Sequence, residues 1–344
     1  MLGLGLTGAF LAQAIGAPMP FMMGALALVG LYAAWRTAAS KPEAHFPNGL
    51  RKLFVALIGV MIGASFTRDL MQKLPGIWPS LLVMVAFIAA ALAGGYLLFR
   101  RLGGYDPVTA IYSAMPGGLI EAVTLGEAAG GNARVLALQH FARIVVVVVA
   151  VPFLYLLWSG NAVGSAAGQS FETRAWTAID VGAIVGVAVL GIWLGPKLKL
   201  PAGHLFGPLV LSAALHGFGL LSLSSPAWFL AVSQLVVGTG LGTSFAGARM
   251  GDLIRAFGLA LIYVVGVMAL GYGIAIGLSH VTAFDFDTLF VSFAPGGVTE
   301  MGLIALSLGI SPVIVTTHHV FRIGFTVGIA GLLAKLVSGA RQKP

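Results

Sequence analysis

The chain carries one unusual block of residues twice. The first copy reads Pro116-Gly117-Gly118-Leu119-Ile120-Glu121 and is followed by His140 and Arg143. The second reads Pro295-Gly296-Gly297-Val298-Thr299-Glu300 and is followed by His319 and Arg322. One offset of 179 residues (295 minus 116) superimposes the two. At that offset Asp106 meets Asp285, Thr109 meets Thr288, Ser113 meets Ser292, Gly130 meets Gly309 and Ile144 meets Ile323. These matches fall in apolar regions, where coincidence would favour Leu, Val and Ala. Fainter echoes extend the pattern. Pro201 and Gly207 answer Pro18 and Gly24, while Gly238 and Gly242-Thr243-Ser244-Phe245 answer Gly59 and Gly63-Ala64-Ser65-Phe66. The chain therefore reads as a duplication over its whole length. A first repeat covers 1–158, a polar Ser/Gly-rich linker covers 159–175, and a second repeat covers 176–344.

Composition decides where such a duplication sits. Of the 344 residues 58% are hydrophobic and 9% charged, with a mean hydropathy of +0.99. A soluble domain carries about 25% charged residues. Long apolar runs at that charge density mark an all-α integral membrane protein. The net charge of +8 is not a nucleic-acid signal, because the basic residues are scattered through short loops between apolar runs. There is no Cys, hence no disulfide framework and no thiolate metal site. Residues 1–16 lack a basic leader and do not read as a cleaved signal peptide; they are also short for a crossing.

Each repeat holds six apolar segments. They are about 3–16, 20–36, 52–66, 77–99, 107–130 and 132–158, then 177–196, 203–222, 227–246, 254–279, 286–310 and 312–336. If the Pro-Gly-Gly segment dips in and returns, each repeat crosses five times and the repeats are inverted. Every loop Lys and Arg except Arg68, Lys73 and Arg174 then falls on the cytoplasmic side. A twelve-crossing reading scatters them over both faces. The positive-inside rule favours two inverted repeats of about five transmembrane helices, each with a broken or re-entrant Pro-Gly-Gly segment. Both termini are then cytoplasmic, in a bacterial-type inner membrane. Inverted repeats with interrupted segments at matching positions point to the binding site of a secondary transporter.

The duplicated polar residues are the candidate site: Pro116, Gly117, Gly118, Glu121, His140 and Arg143, with Pro295, Gly296, Gly297, Glu300, His318, His319 and Arg322. A helix that begins just after Pro-Gly-Gly would turn free N–H groups and a positive dipole end toward an anionic group. A carboxylate at membrane depth costs about 2.5–3.5 kcal/mol on insertion scales, so Glu121 and Glu300 need a partner or a proton. They are candidate carriers of H⁺ or Na⁺. Arg143 and Arg322 must be paired or solvated, and two structural Glu–Arg ion pairs are the plain alternative to a transport role. His140 and Arg143 are three apart, as are His319 and Arg322. Gln139 and His318 lie four before the arginines, so each set lines one helix face. Gly59/Gly63 and Gly238/Gly242 have the small-xxx-small spacing of close helix contact, with Ser65 and Ser244 as candidate donors. No metal, cofactor or catalytic residue is expected, because the Glu-x-x-His spacing of di-iron bundles and the zincin motif are absent.

The doubled Pro-Gly-Gly-x-x-Glu block with its following His-x-x-Arg resembles the AbrB-type membrane duplication family, through nearly the whole chain. The resemblance implies a polytopic inner-membrane protein. The family's labels point elsewhere: one is regulation of gene expression, another ammonia monooxygenase. At fold level it is similar to inverted-repeat transporters such as sodium/proton antiporters. The leading expectation is a secondary transporter of a small anionic metabolite coupled to H⁺ or Na⁺. Its partners are the bilayer and that solute, in a chain that can form homo-oligomers. A regulator acting indirectly is the alternative, since no helix-turn-helix-sized soluble segment is present to read nucleic acid. A metal-dependent monooxygenase ranks third.

Overall fold

Helices follow the apolar runs, and their breaks follow the prolines and glycines. The computed structural model describes residues 1–66, 70, 72, 74–160, 177–198, 200, 202–221 and 227–339. The linker expected at 159–175 lies almost wholly outside the described residues, as do Arg68, Lys73, Arg174, Lys199 and Pro201. The first repeat contributes α1 (Leu2–Ala14), α2 (Pro20–Ala38), α3 (Asn48–Ala64), α4 (Trp78–Arg101), α5 (Pro107–Ala114), α6 (Leu119–Ala128) and α7 (Ala133–Ser159). The second contributes α8 (Ala178–Lys197), α9 (Gly203–Gly217), α10 (Ala227–Thr243), α11 (Met250–Ser279), α12 (Phe286–Phe293), α13 (Val298–Leu308) and α14 (Pro312–Gly339).

Among the described residues six stretches are long and apolar enough to cross a membrane: Pro20–Ala38, Pro75–Arg101, Ala133–Ser159, Asp180–Lys197, Met250–Ser279 and Pro312–Leu333. Their outward faces are apolar. Val181, Val185, Val189 and Trp193 form an exposed i, i+4 stripe on α8, and Ile254, Leu261, Ile262 and Val265 are exposed on α11. Water would not tolerate such faces, whereas lipid matches them. The chain is a multi-pass membrane protein. Lys197 stands 3.5 Å over the Trp193 ring at the end of α8, the kind of pair found at a membrane interface.

The helices gather into two compact units, and each unit draws on both repeats. The first comprises Met1–Pro75, Val149–Arg249 and Thr299–Ile314; the second comprises Gly76–Val148, Met250–Val298 and Val315–Pro344. In the first unit α1 packs on α2 and α8 on α9, while α2 packs on α10 and α3 on α9. Each pairing thus has its counterpart with the repeats exchanged. Small residues permit the contacts. Gly8 of α1 and Gly24 of α2 meet backbone to backbone, as do Gly191 of α8 and Gly207 of α9. Gly59 and Gly63 press α3 onto the carbonyls of Leu205 and Leu209 in α9. Gly238 and Gly242 press α10 onto Met22 and Val29 of α2. A side chain at any of these four would collide with a neighbouring helix, so the small-xxx-small spacing serves packing. Ser65 and Ser244 donate to the carbonyls of Met61 and Gly240 in their own helices.

In the second unit α4 packs on α5, α11 on α12, and α4 on α11. Both short helices, α5 and α12, are eight residues long and both start at an aspartate cap. Asp106 accepts from the Val108 and Thr109 amides, and Asp285 accepts from the Thr288 amide. Both end two residues before a proline, and the intervening Met115 (ψ 118°) and Ala294 (ψ 136°) leave the helical conformation. The ring of a following proline disfavours the helical conformation there. Beyond the next helices, α6 and α13, Gly130 (φ 89°) and Gly309 (φ 69°) take left-handed geometry that a Cβ would strain.

Candidate functional site

Breaking a helix inside an apolar protein frees carbonyls, and these must be satisfied by protein. In the second unit the sequence supplies donors one by one. Arg143 of α7 reaches the gap between α5 and α6, where Nη1 donates to the Met115 carbonyl at 2.6 Å and Nη2 to the Gly117 carbonyl at 3.1 Å. Arg322 of α14 repeats the arrangement in the gap after α12, donating to Ala294 at 2.6 Å and Gly296 at 2.7 Å. The four acceptors correspond at the 179-residue offset. A guanidinium suits this work because its planar fork presents parallel N–H groups to two oxygens at once.

The remaining carbonyls at the end of α5 are covered from two directions. His140 on α7 bonds the Tyr112 carbonyl through Nε2 at 2.9 Å, and the Tyr263 hydroxyl on α11 donates to Ala114 at 2.9 Å. His319 places Nδ1 at 2.9 Å from the Val315 carbonyl of its own helix, and the Ala294 backbone beyond α12 also acts on it. His318 bonds the Ser80 hydroxyl of α4 at 2.8 Å. Gln139 donates to Ala256 of α11 and accepts from the Tyr105 hydroxyl. Both tie helices of different repeats together.

The expected Glu–Arg ion pairs are not formed. The salt bridge among the described residues is Arg134–Asp252, which is largely exposed. Glu121 is half-buried and folds back over the first turn of α6, so close that a Cβ on Gly118 would collide with its carboxylate. Glu300 is buried, at 7% exposure, and belongs to the first unit, where the charge of Arg51 on α3 acts on it. The arginines pair with backbone because freed carbonyls lie within reach, whereas each glutamate sits on the helix beyond the break.

The two arginines meet through Gly117: Arg143 holds its carbonyl, and it lies against Thr326, one turn beyond Arg322 on α14. Arg143 is 2% and Arg322 1% exposed. The charge of Arg143 acts on Arg322, and both act on the buried Tyr263. The Nε atoms of both guanidiniums are buried without a hydrogen-bond partner. Pro116, Gly117, Pro295 and Gly296 are buried around them, with Gly118 and Gly297 at the edge. Gly117 is pressed against Thr326 of α14, and Phe293 of α12 meets Phe87 of α4 edge-on at 5.2 Å. Each broken segment is therefore clasped by a helix of the other repeat. Sequence reasoning missed Tyr263, Thr326 and Ser80. Their counterparts are Met84, Val147 and Leu259, so a search for repeated polar residues passes over them.

Comparison with known proteins bears on the whole chain. Residues 21–338 match the family model described as AbrB, "Transition state regulatory protein AbrB". The chain is similar to "Uncharacterized protein YhjN" of Bacillus subtilis (strain 168), 25% identical over 341 residues, covering 94% of this chain and 88% of the relative. It is also similar to "Putative regulator AbrB" of Escherichia coli (strain K12), 23% identical over 286 residues, 82% of this chain and 81% of the relative.

Proposed function

The chain belongs to the AbrB family, and from that premise we propose that it is a secondary transporter of a small anionic metabolite, coupled to H⁺ or Na⁺. The observation that carries this is the buried Arg143–Arg322 pair, two cations without a carboxylate partner at the junction of two broken helices. Charged groups at membrane depth are costly and mark solute or ion pathways. Broken helices at matching positions of a duplicated membrane chain are where transporters hold their solutes. In this reading the repeats are inverted, the Pro-Gly-Gly segments enter from opposite faces of an inner membrane, and both termini are cytoplasmic. The arginines hold the anion. Glu300, the more buried glutamate, carries the coupling ion, with Glu121 as the weaker candidate.

The test is flux in proteoliposomes of the full chain loaded with an organic-anion panel, under imposed H⁺ or Na⁺ gradients. Uptake of an anion that depends on the gradient and falls in Glu300→Gln supports the reading. An absence of flux under every gradient, or coupled flux unchanged in a Glu121→Gln plus Glu300→Gln protein, overturns it. The regulatory description carried by the family and by the Escherichia coli relative is a second reading. It would act through a partner protein, which co-purification from membranes would reveal.

A further inference from the structure

The charge balance of the arginine pair also bears on the class of anion. We propose that the second unit binds a doubly charged oxyanion, a dicarboxylate or a tetrahedral dianion, held between Arg143 and Arg322; the proposal rests on the anion-carrier reading above. A guanidinium has five N–H donors. In each arginine one N–H on each Nη is given to a backbone carbonyl, and the Nε–H is buried without a partner. Nε–H with the free hydrogen on the adjacent Nη is the edge that takes a carboxylate or a tetrahedral oxyanion in bidentate fashion.

Carbonyls satisfy hydrogen bonds but not charge. Among the described residues no carboxylate lies within ion-pair distance of either guanidinium, and Gly117, whose carbonyl Arg143 holds, is packed on Thr326 one turn from Arg322. The site therefore holds two positive charges that repel each other in a water-poor interior. A monovalent anion leaves one of them uncompensated; a divalent anion neutralises both. The Tyr263 hydroxyl is already committed to Ala114, so the phenol adds no negative charge. Each arginine is also the clasp of one broken segment. A dianion that bridges them ties the Met115–Gly118 gap to the Ala294–Gly297 gap, whereas a monovalent anion on one arginine secures one gap only.

The experiment is binding to the purified full-length protein, read by calorimetry and by thermal unfolding. Sodium sulfate and disodium succinate are compared with sodium acetate and sodium chloride at matched ionic strength, because screening alone would otherwise favour the divalent salts. Sulfate or succinate is expected to bind at least ~10-fold more tightly than acetate and chloride. In Arg322→Gln, which keeps a donor for one carbonyl and removes one charge, the preference is expected to fall to about twofold. The wild-type comparison stands alone if that variant does not fold. Acetate or chloride binding as tightly as the divalent anions overturns the proposal, as does failure of all four to bind. Divalent binding without flux upholds it and removes the carrier reading. Flux of a monocarboxylate without a divalent preference does the reverse.

Discussion

A methyl group on Gly117 probes a tight contact between the repeats in the second unit. A Cβ built there lies 2.6 Å from Oγ1 of Thr326 and 3.5 Å from its Cβ. Thr326 is fully buried, and its hydroxyl is shared between the carbonyls of Arg322 at 2.8 Å and Ile323 at 3.0 Å. The oxygen cannot turn aside without giving up those bonds. In Gly117→Ala the backbone must retreat instead, and Gly117 also carries the carbonyl that Arg143 holds. Overpacking of a tight contact costs about 1–3 kcal/mol, and the loosened carbonyl places this case near the upper end. Thr326→Ala alone loses a buried hydroxyl and methyl, about 1 kcal/mol. In the double variant the atom facing the new methyl is the Cβ at 3.5 Å, an ordinary contact. It should be about as stable as Thr326→Ala, a coupling of about 3 kcal/mol in favour of the pair. Unfolding midpoints of the four proteins in one detergent measure the cycle. A Gly117→Ala protein as stable as wild type, or a double variant in which the two losses add, refutes this account of the contact.

Three further outcomes follow from the same geometry. Arg143→Lys and Arg322→Lys keep the charge but cannot span two carbonyls in a planar fork; each should lose about 1–3 kcal/mol through an unsatisfied carbonyl, and unfolding midpoints that drop for one and not the other would contradict the matching hydrogen bonds. Asp106→Ala and Asp285→Ala remove equivalent helix caps, so each should lose about 1 kcal/mol in the same assay. Because the chain has no Cys, single introduced thiols can report sidedness in intact cells: Ser40→Cys and Met250→Cys should react from the cytoplasmic face and Val281→Cys from the opposite one, and labelling of Met250→Cys opposite to Ser40→Cys would favour twelve crossings over ten.

Much of the backbone plan was legible because it is written by local chemistry. Pro116 and Pro295 end α5 and α12, the aspartates start them, and the two glycines that close α6 and α13 sit at the same offset. The partners of the charged side chains were not legible. Pairing glutamate with arginine follows from charge alone, yet a broken helix presents uncapped carbonyls that compete for the same guanidinium. Asking where the Met115, Gly117, Ala294 and Gly296 carbonyls go would have found both arginines a partner in each repeat. The exchange of helices between repeats was also hidden, since Gly59 and Gly238 declare a close contact without naming the helix that makes it.

The two repeats agree on the frame and differ in what they place on it. Both breaks, both caps and both arginine clasps are common to the two copies, and these are the parts that must exist for the backbone to survive in an apolar setting. Divergence begins with the groups that are not needed for that purpose. His140 bonds the Tyr112 carbonyl of α5 through Nε2, while His319 places Nδ1 on the Val315 carbonyl of its own helix. Tyr263 covers the Ala114 carbonyl, next to the Met115 carbonyl that Arg143 holds, and its counterpart is Met84. Glu121 lies over its own helix terminus, whereas Glu300 is buried on α13 within reach of the charge of Arg51. A symmetric pair of carboxylates would give two equal ion sites. The asymmetry gives one buried carboxylate and one that is half-exposed, so loss of the first should uncouple ion from solute while loss of the second should not. If Glu121→Gln and Glu300→Gln reduce gradient-driven flux equally, the divergence is incidental, and the ion site belongs to the frame that the repeats share.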